Sequence, residues 1–295
     1  MNGRDLFPAF LFKVMKKGLI LTNAYTQSEA ELYQPRRLSQ ELNELGVQTV
    51  VTRNSLIDPA GYDFCVYYDK DKYCARRLEG AGFRLFNRAA AIETCDDKML
   101  TYLALGGFPM PKTLAAPLCY TPSVPVPETF YDKLEAEFSY PLIVKECFGS
   151  LGKGVYKIDD RFALSEICER LKTKPHLFQE YVSTSYGTDV RAVVIGGKVV
   201  CAMKRSSENF KSNVASGGHG EIFALDEKAK AMCTAVASRL KLDYCGIDLL
   251  FGKDGFLICE VNSNAFFYTT ERVTGVNVAK LYATHIVKEI YGEEV

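Results

Sequence analysis

The sequence predicts an α/β chain in two parts: a small parallel α/β unit over residues 15–95, then an α+β unit over residues 96–295. Three observations carry this. Strand-like and helix-like runs alternate up to residue 95. Six of the eleven prolines crowd into residues 109–127. Beyond them, strands come in adjacent pairs joined by glycine turns. At 295 residues, two units also match a domain size of about 100–200 residues.

Residues 1–14 read as an N-terminal extension. The apolar run Leu6–Phe12 contains Pro8, follows Asp5 and leads into Lys16-Lys17 instead of a small-residue cleavage site, so a secretion signal is not expected. Gly18 to Asn23 is a short buried strand. Leu38, Leu42 and Leu45 recur at helical spacing and stop at Gly46. Val47–Val51 and Tyr62–Tyr67 are further strands, Asp71–Ala81 suits a helix and Phe83–Phe86 a strand. A helix over Asp96–Leu105 leads to Gly106-Gly107, and the prolines then mark a linker or crossover.

The second unit opens with strand Leu142–Glu146, a glycine-rich segment over 149–154 and strand Val155–Ile158. Leu164, Ile167, Cys168 and Leu171 mark a helix face, and Ala229, Met232, Cys233, Val236 and Leu240 another. Gly196-Gly197 between apolar runs is a two-residue hairpin signal, and Gly246–Phe251 with Phe256–Val261 forms a last hairpin.

Composition narrows the function. Apolar residues make up 47% and charged residues 24%, and 36 basic residues balance 36 acidic ones. A basic nucleic-acid coat and an acidic disordered tail are excluded. No run approaches about 18 apolar residues, so no membrane helix is expected. The ten cysteines are scattered without a C-x-x-C pair, which argues against structural zinc and for free thiols in a reducing cytoplasm. Cys147, Cys201 and Cys259 sit in apolar strand runs and read as small hydrophobes.

The last hairpin is the most informative segment. Glu260 and Asn262 share a face because side chains alternate along a strand. A three-residue loop Lys253–Gly255 would set Leu250 opposite Ile258 and Asp248 opposite Glu260. Opposed carboxylates repel by about 0.2–1 kcal/mol at a sheet surface, a cost that a hard cation such as Mg²⁺ removes. A solvated acidic face is the alternative. Lys145 ends the apolar strand Pro141–Lys145 and needs a partner. Four residues on, Gly149–Gly154 can aim backbone N–H groups at phosphates. It is not a Walker loop, because Lys153 precedes Gly154 and a strand. A tight hairpin turn fits the segment alone equally well; strand, lysine and glycine loop together favour a nucleotide. Phe178–Val182 reads as a strand whose end could meet an adenine or ribose edge, or as a plain edge strand. Lys204-Arg205 and Asn209–Asn213 could hold phosphate and a substrate carboxylate, or form a solvated face.

In their order and spacing, these elements resemble the ATP-grasp enzymes: Lys145 with its glycine loop, Gln179-Glu180-Tyr181, Asp189-Val190-Arg191, Lys211-Ser212-Asn213, Asp248 and Glu260-Val261-Asn262. Within that group the chain is most similar to RimK-type ligases, which add glutamate or another amino acid to a carboxylate. The resemblance covers roughly residues 90–290 and implies an ATP-grasp fold preceded by a small parallel α/β domain, with 149–154 as a lid. It implies that Lys98 and Lys145, with Ser150, Gly152 and Gly154, bind ATP phosphates. Glu180, Tyr181 and Val182 would meet the adenine and Asp189 the ribose side. Lys211, Ser212 and Asn213 would lie near the phosphates, and Asp248, Glu260 and Asn262 would hold Mg²⁺ or Mn²⁺. Arg191 and Arg205 are the candidates to steady an acyl phosphate.

The implied partners are a small-molecule or peptide carboxylate and an amino-acid amine, with no nucleic acid and no membrane; homo-oligomerisation is left open. The basic set Arg191, Lys204, Arg205 and Lys211 argues for an anionic substrate. No residue stands out as general base beyond the loop histidine His219. A dipeptide or D-alanine-type ligase, or a non-catalytic nucleotide-binding protein of the same fold, are the alternatives. After Asn262 the chain departs from the family. Ser263-Asn264-Ala265-Phe266-Phe267-Tyr268 stands where a small residue, proline and glycine are usual beside the acceptor pocket, and this leaves the substrate open.

Overall fold

The computed structural model describes residues 15–25, 29–54, 60–150, 152–210 and 219–292. The extension expected over 1–14 lies outside them. β1 (Lys17–Thr22), α1 (Glu29–Glu44), β2 (Gln48–Arg53), β3 (Phe64–Tyr68), α2 (Lys72–Gly80) and β4 (Arg84–Phe86) form the expected alternation. Their four strands pair in parallel in the order β2-β1-β3-β4.

The expected helix over 96–105 is α4 (Lys98–Ala104), and a helix that was not expected, α3 (Ala89–Asp96), precedes it. Asp97 separates them in an extended conformation, and its carboxylate accepts from the Met99 and Leu100 amides at 2.8 and 3.1 Å. This cap fixes Lys98 as the first residue of α4. The proline-rich stretch contains a short strand, β5 (Thr113–Ala115), and α5 (Glu128–Glu137) follows it. β6 (Leu142–Glu146), β7 (Val155–Ile158), α6 (Arg161–Leu171) and β8 (His176–Glu180) complete an antiparallel sheet ordered β5-β8-β6-β7. β8 ends at Glu180, two residues short of the expected Val182.

The third sheet is ordered β11-β10-β9-β12-β13 and is antiparallel throughout. It comprises β9 (Thr188–Ile195), β10 (Lys198–Ser206), β11 (His219–Ile222), β12 (Tyr244–Gly252) and β13 (Gly255–Asn262), with α7 (Glu227–Leu240) between β11 and β12. Gly196 and Gly197 have φ of 54° and 73°, the left-handed pair a two-residue hairpin needs. α8 (Tyr268–Thr274) and α9 (Val278–Tyr291) end the described chain.

Strand alternation decides which face does what. Val190, Ala192 and Val194 of β9 pack under α7 with Cys233, Val236 and Leu240. Val193 and Ile195 face the other way, into a core shared with Ile20, Phe64, Phe86 and α9 residues Val278, Tyr282 and Ile286. Asp189 and Arg191 lie on that second face, beyond the end of this core. In the middle sheet, Leu142, Val144 and Phe178 pack against α5 and α6, which turns Ile143, Lys145 and Gln179 the opposite way. Two sheets therefore present polar faces to each other, and the parallel sheet closes one end.

Candidate active site

These faces enclose a cavity of about 530 Å³. Lys98, Lys145, Ser150, Gly152, Glu180, Tyr181, Val182, Asp189, Arg191, Arg205, Asp248, Glu260 and Asn262 all line it. Of the residues expected there, Gly154 does not. It closes the base of the β6–β7 hairpin, its carbonyl accepting from Glu146 N at 2.8 Å. Lys211, Ser212 and Asn213 lie outside the described residues. His219 is exposed, on edge strand β11 opposite Ser206.

Asp248 stands opposite Glu260, as expected, but by a different route. The β12–β13 loop has two residues, with Gly252 paired to Gly255, Leu250 to Leu257 and Leu249 to Ile258. A bulge then leaves Cys259 without a partner and restores Asp248 to Glu260. The shorter loop and the extra bulge residue cancel. Cys259 consequently lines the cavity beside Glu260 and is not a plain core residue. Gly246, paired to Asn262, is required by packing. A Cβ there would sit 2.5 Å from Ala265 Cβ, so a larger residue would push the Ala265 segment away from β12, whereas Arg191 Cδ at 3.4 Å would be in ordinary contact.

The acidic row is met by arginines from neighbouring strands. Arg191 forks onto Asp248 with Nε and Nη2 each at 2.7 Å. Arg205 forks onto Asp189 at 2.7 and 2.5 Å and reaches Asp248 at 3.0 Å. Burial alone would raise the Asp248 carboxyl, but the charges and hydrogen bonds of Arg191 and Arg205 outweigh it and bring it down to about 2. The carboxyl's contribution to stability is therefore present above its ordinary range near 4 and is lost only as pH falls toward 2. Lys204 pairs with Glu221 at 2.8 Å on the exposed side. The surplus of positive charge that argued for an anionic substrate is thus neutralised: Arg191 and Arg205 are matched by Asp189 and Asp248, and Lys204 by Glu221.

The lysines on the opposite wall differ. Lys145 is 8% exposed, and its ammonium lies 3.6 Å from Cys259 Sγ. Among the described residues, no carboxylate is within ion-pairing distance of it. Lys98 Nζ donates to the Gly149 carbonyl at 3.0 Å and lies 3.7 Å from Glu260. Lys98 thereby links the glycine loop to Glu260 on the opposite wall. Glu180 accepts from Lys112 N at 3.3 Å, and Tyr181 and Val182 follow it along the cavity rim.

Asp248, Glu260 and Asn262 form a hard-oxygen donor set suited to Mg²⁺ or Mn²⁺. The arginines occupy three of the four Asp248 lone-pair positions, leaving one on Oδ1. Among the described residues, Asn262 Nδ2 is buried without a hydrogen-bond partner; it is a donor, and the amide oxygen is the atom a cation would take. Among the described residues no group of three or more His, Cys, Asp or Glu side chains could hold a metal; the set here is two carboxylates and an amide, which fits a cation shared with a ligand.

Of the aromatic trio after Asn262, Phe267 is buried in the core, Phe266 lines the cavity and Tyr268 packs edge-on to Tyr33 at 4.7 Å. No helix among the described residues is long and apolar enough to cross a membrane.

Two antiparallel sheets gripping a lysine- and carboxylate-lined cavity, next to a parallel α/β unit, define the ATP-grasp fold. The RimK-like ATP-grasp domain model matches residues 120–286. Beta-citrylglutamate synthase B of Danio rerio is 36% identical over 236 residues, covering 75% of this chain and 55% of that protein. N-acetylaspartylglutamate synthase A of Homo sapiens is 36% identical over 234 residues, covering 75% and 56%. A RimK domain protein from Sphaerobacter thermophilus has the same fold, with a TM-score of 0.69 at 20% identity over 91% of this chain and 98% of its own. The chain belongs to the RimK-like ATP-grasp family. It spans little more than half the length of the two synthases.

Proposed function

We propose that this protein is an ATP-dependent, ADP-forming carboxylate–amine ligase, with glutamate the first amine to test. The observation that carries the proposal is the buried Lys145 ammonium. It has no carboxylate partner among the described residues and faces a cavity whose other wall carries the opposed Asp248–Glu260 pair. A phosphate chain between those walls satisfies both. Glutamate is favoured because the names of both similar synthases specify glutamate-containing products.

In the reaction, a substrate carboxylate oxygen attacks the γ-phosphorus of ATP and the bond to the β-phosphate oxygen breaks, giving an acyl phosphate and ADP. The amine nitrogen then attacks the acyl carbon, inorganic phosphate leaves and the nitrogen loses a proton. Lys145 and Lys98 hold phosphate oxygens, and Asp248, Glu260 and Asn262 would hold the divalent cation. Bound there, the cation lowers the repulsion between the two reacting anions. Arg191 and Arg205 act chiefly by orienting Asp248, each being forked onto a carboxylate; the Arg191 guanidinium also borders the cavity and can meet the acyl phosphate. The protein contributes positioning and charge neutralisation. All ten cysteines are free thiols, which supports a cytoplasmic setting.

The test is purified protein with ATP, Mg²⁺, glutamate and a panel of carboxylates that includes N-acetylaspartate and citrate, read by ADP release and mass spectrometry. A glutamate amide is expected. Product lacking any amino acid would overturn the ligase reading.

We further assign segment 149–154 as a lid over the nucleotide. Gly149, Gly152 and Gly154 have φ of 131°, 72° and 73°, and Ser150 and Gly152 line the cavity; Leu151 lies outside the described residues. Ordering so many glycines is costly, so closure needs ligand contacts. Amide hydrogen exchange there should be fast in the free protein and slowed by a non-hydrolysable ATP analogue with Mg²⁺. Full protection without nucleotide would remove the lid.

A further inference from the structure

We propose that Asn87 is a positioning residue for the metal set: its carboxamide stands in for a strand rung where β13 leaves β12, and so fixes Asn262 relative to Asp248 and Glu260. This rests on the ligase reading above and adds to it a task for the parallel unit, which supplies Asn87.

Asn87 follows β4, is 2% exposed and uses every hydrogen bond a carboxamide can make. Its Oδ1 accepts from the Asp243 and Tyr244 amides at 2.7 and 3.1 Å. Its Nδ2 donates to the Tyr244 carbonyl at 2.8 Å and to the Ser263 carbonyl at 2.7 Å. Tyr244 thus exchanges both backbone hydrogen bonds with one side chain, as it would with a residue of a neighbouring antiparallel strand. The last rung of β12–β13 pairs Gly246 with Asn262. Continued by two residues, that register would give Tyr244 the partner Asn264, but β13 has ended at Asn262. Asn87 fills the place, and its second N–H ties the departing chain at Ser263.

That tie bears on the metal set through Asn262. Among the described residues, Asn262 Nδ2 has no hydrogen-bond partner, so this side chain goes where its backbone carries it. The Gly246 rung holds that backbone on one side and the Asn87–Ser263 bond on the other. Further along, the chain again hangs on side chains. The Tyr244 hydroxyl donates to the Ala265 carbonyl at 2.7 Å, and Gln34 of α1 accepts from Phe267 N. The other two members are held without the parallel unit. Asp248 is gripped by Arg191 and Arg205, and Glu260 lies inside the β12–β13 ladder. Asn262 stands at the strand's free end, and it is the member that Asn87 sets.

The test measures the Kd of a non-hydrolysable ATP analogue by calorimetry, without Mg²⁺ and across a Mg²⁺ series, in Asn87→Asp and Tyr244→Phe, at a temperature where circular dichroism shows each variant folded. Asn87→Asp keeps the shape and an acceptor but turns a second oxygen toward the two carbonyls, so at least one of those bonds is lost. Tyr244→Phe keeps the ring and loses the bond to the Ala265 carbonyl. The Mg²⁺ concentration for half-maximal binding should rise about tenfold in Asn87→Asp and about threefold in Tyr244→Phe. The Mg²⁺-free Kd should stay within about twofold, because Lys98 and Lys145 are untouched. A merely structural asparagine would lower Tm and weaken both forms of binding alike. A Mg²⁺ requirement unmoved in Asn87→Asp, or a Mg²⁺-free Kd that weakens as much as the Kd with Mg²⁺, overturns the proposal while the metal and ligase readings stand. If Asn87→Asp does not fold, Tyr244→Phe decides by the same two readings. Analogue binding that ignores Mg²⁺ in the unaltered protein would overturn the metal set and this proposal together.

Discussion

Replacing Lys145 with methionine is expected to weaken ATP binding about 10- to 100-fold while leaving the free protein as stable as before, or more so. Charged hydrogen bonds to phosphate contribute about 1.5–3 kcal/mol, which sets that range. The stability half follows from burial. Lys145 is 8% exposed, between Val144 and Glu146 on a strand whose alternate residues are core, and among the described residues its ammonium has the Cys259 thiol at 3.6 Å and no ion pair. Burying an ammonium without a counter-charge costs several kcal/mol, partly relieved by solvent in the cavity. Methionine keeps the unbranched stem and volume and removes that cost. Calorimetric titration with an ATP analogue and Mg²⁺, alongside thermal unfolding, separates the two effects. A fall in melting temperature with unchanged nucleotide affinity would make Lys145 a structural ion-pair residue and sink its phosphate role. Lys98 is the weaker choice for this experiment, because it also ties the Gly149 carbonyl and faces Glu260, so its loss would disturb lid and metal set together.

The polar wall of this site was legible in the sequence wherever the determining contacts are local. Lys145, the β6–β7 glycine turn and the Gly196-Gly197 hairpin follow from period-two alternation and glycine placement within about a dozen residues. The Asp248–Glu260 pairing was legible only by cancellation: a two-residue loop with a one-residue bulge aligns the same pair as a three-residue loop with none. The bulge itself, and with it the exposure of Cys259 to the cavity, leaves no mark in a run of apolar residues. The arginine–carboxylate pairs were not readable, because they join β9 to β10 and β12, and β12 is more than fifty residues away from β9. What reads along the chain as excess positive charge is neutral in the sheet. Helix α3 was hidden for a different reason: its N-cap, Arg88, makes no side-chain cap bond, and its alanine-rich sequence has little periodicity. Helix α9 carries a plain signal, Asn277 as N-cap and buried residues at 278, 279, 282, 283, 286 and 287, and could have been found from it.

Glu260→Gln is expected to lower ADP formation by at least about 100-fold with the fold intact. The exchange swaps one carboxylate oxygen for an amide nitrogen at nearly constant volume, so the β12–β13 pairing is undisturbed. The ion pair lost in the free protein is the 3.7 Å contact to Lys98, with Glu260 29% exposed. Contacts of that kind contribute about 0–1 kcal/mol, so the melting temperature should move by no more than about 2–4 °C. The loss with nucleotide present is of another order. Asp248 already gives three of its four lone-pair positions to Arg191 and Arg205, so Glu260 is the carboxylate with capacity to spare. Without it, the site would offer a cation one Asp248 position and the Asn262 amide. Removing several kcal/mol of charge stabilisation from the transition state corresponds to two or more decades in rate. The metal assignment also predicts that the Mg²⁺ concentration needed for half-maximal binding of an ATP analogue rises in this variant, a readout independent of turnover. If Glu260→Gln keeps full activity and an unchanged Mg²⁺ requirement, Glu260 is not a metal ligand, and the opposed pair on this hairpin is an acidic face bridged by Lys98 and the arginines alone.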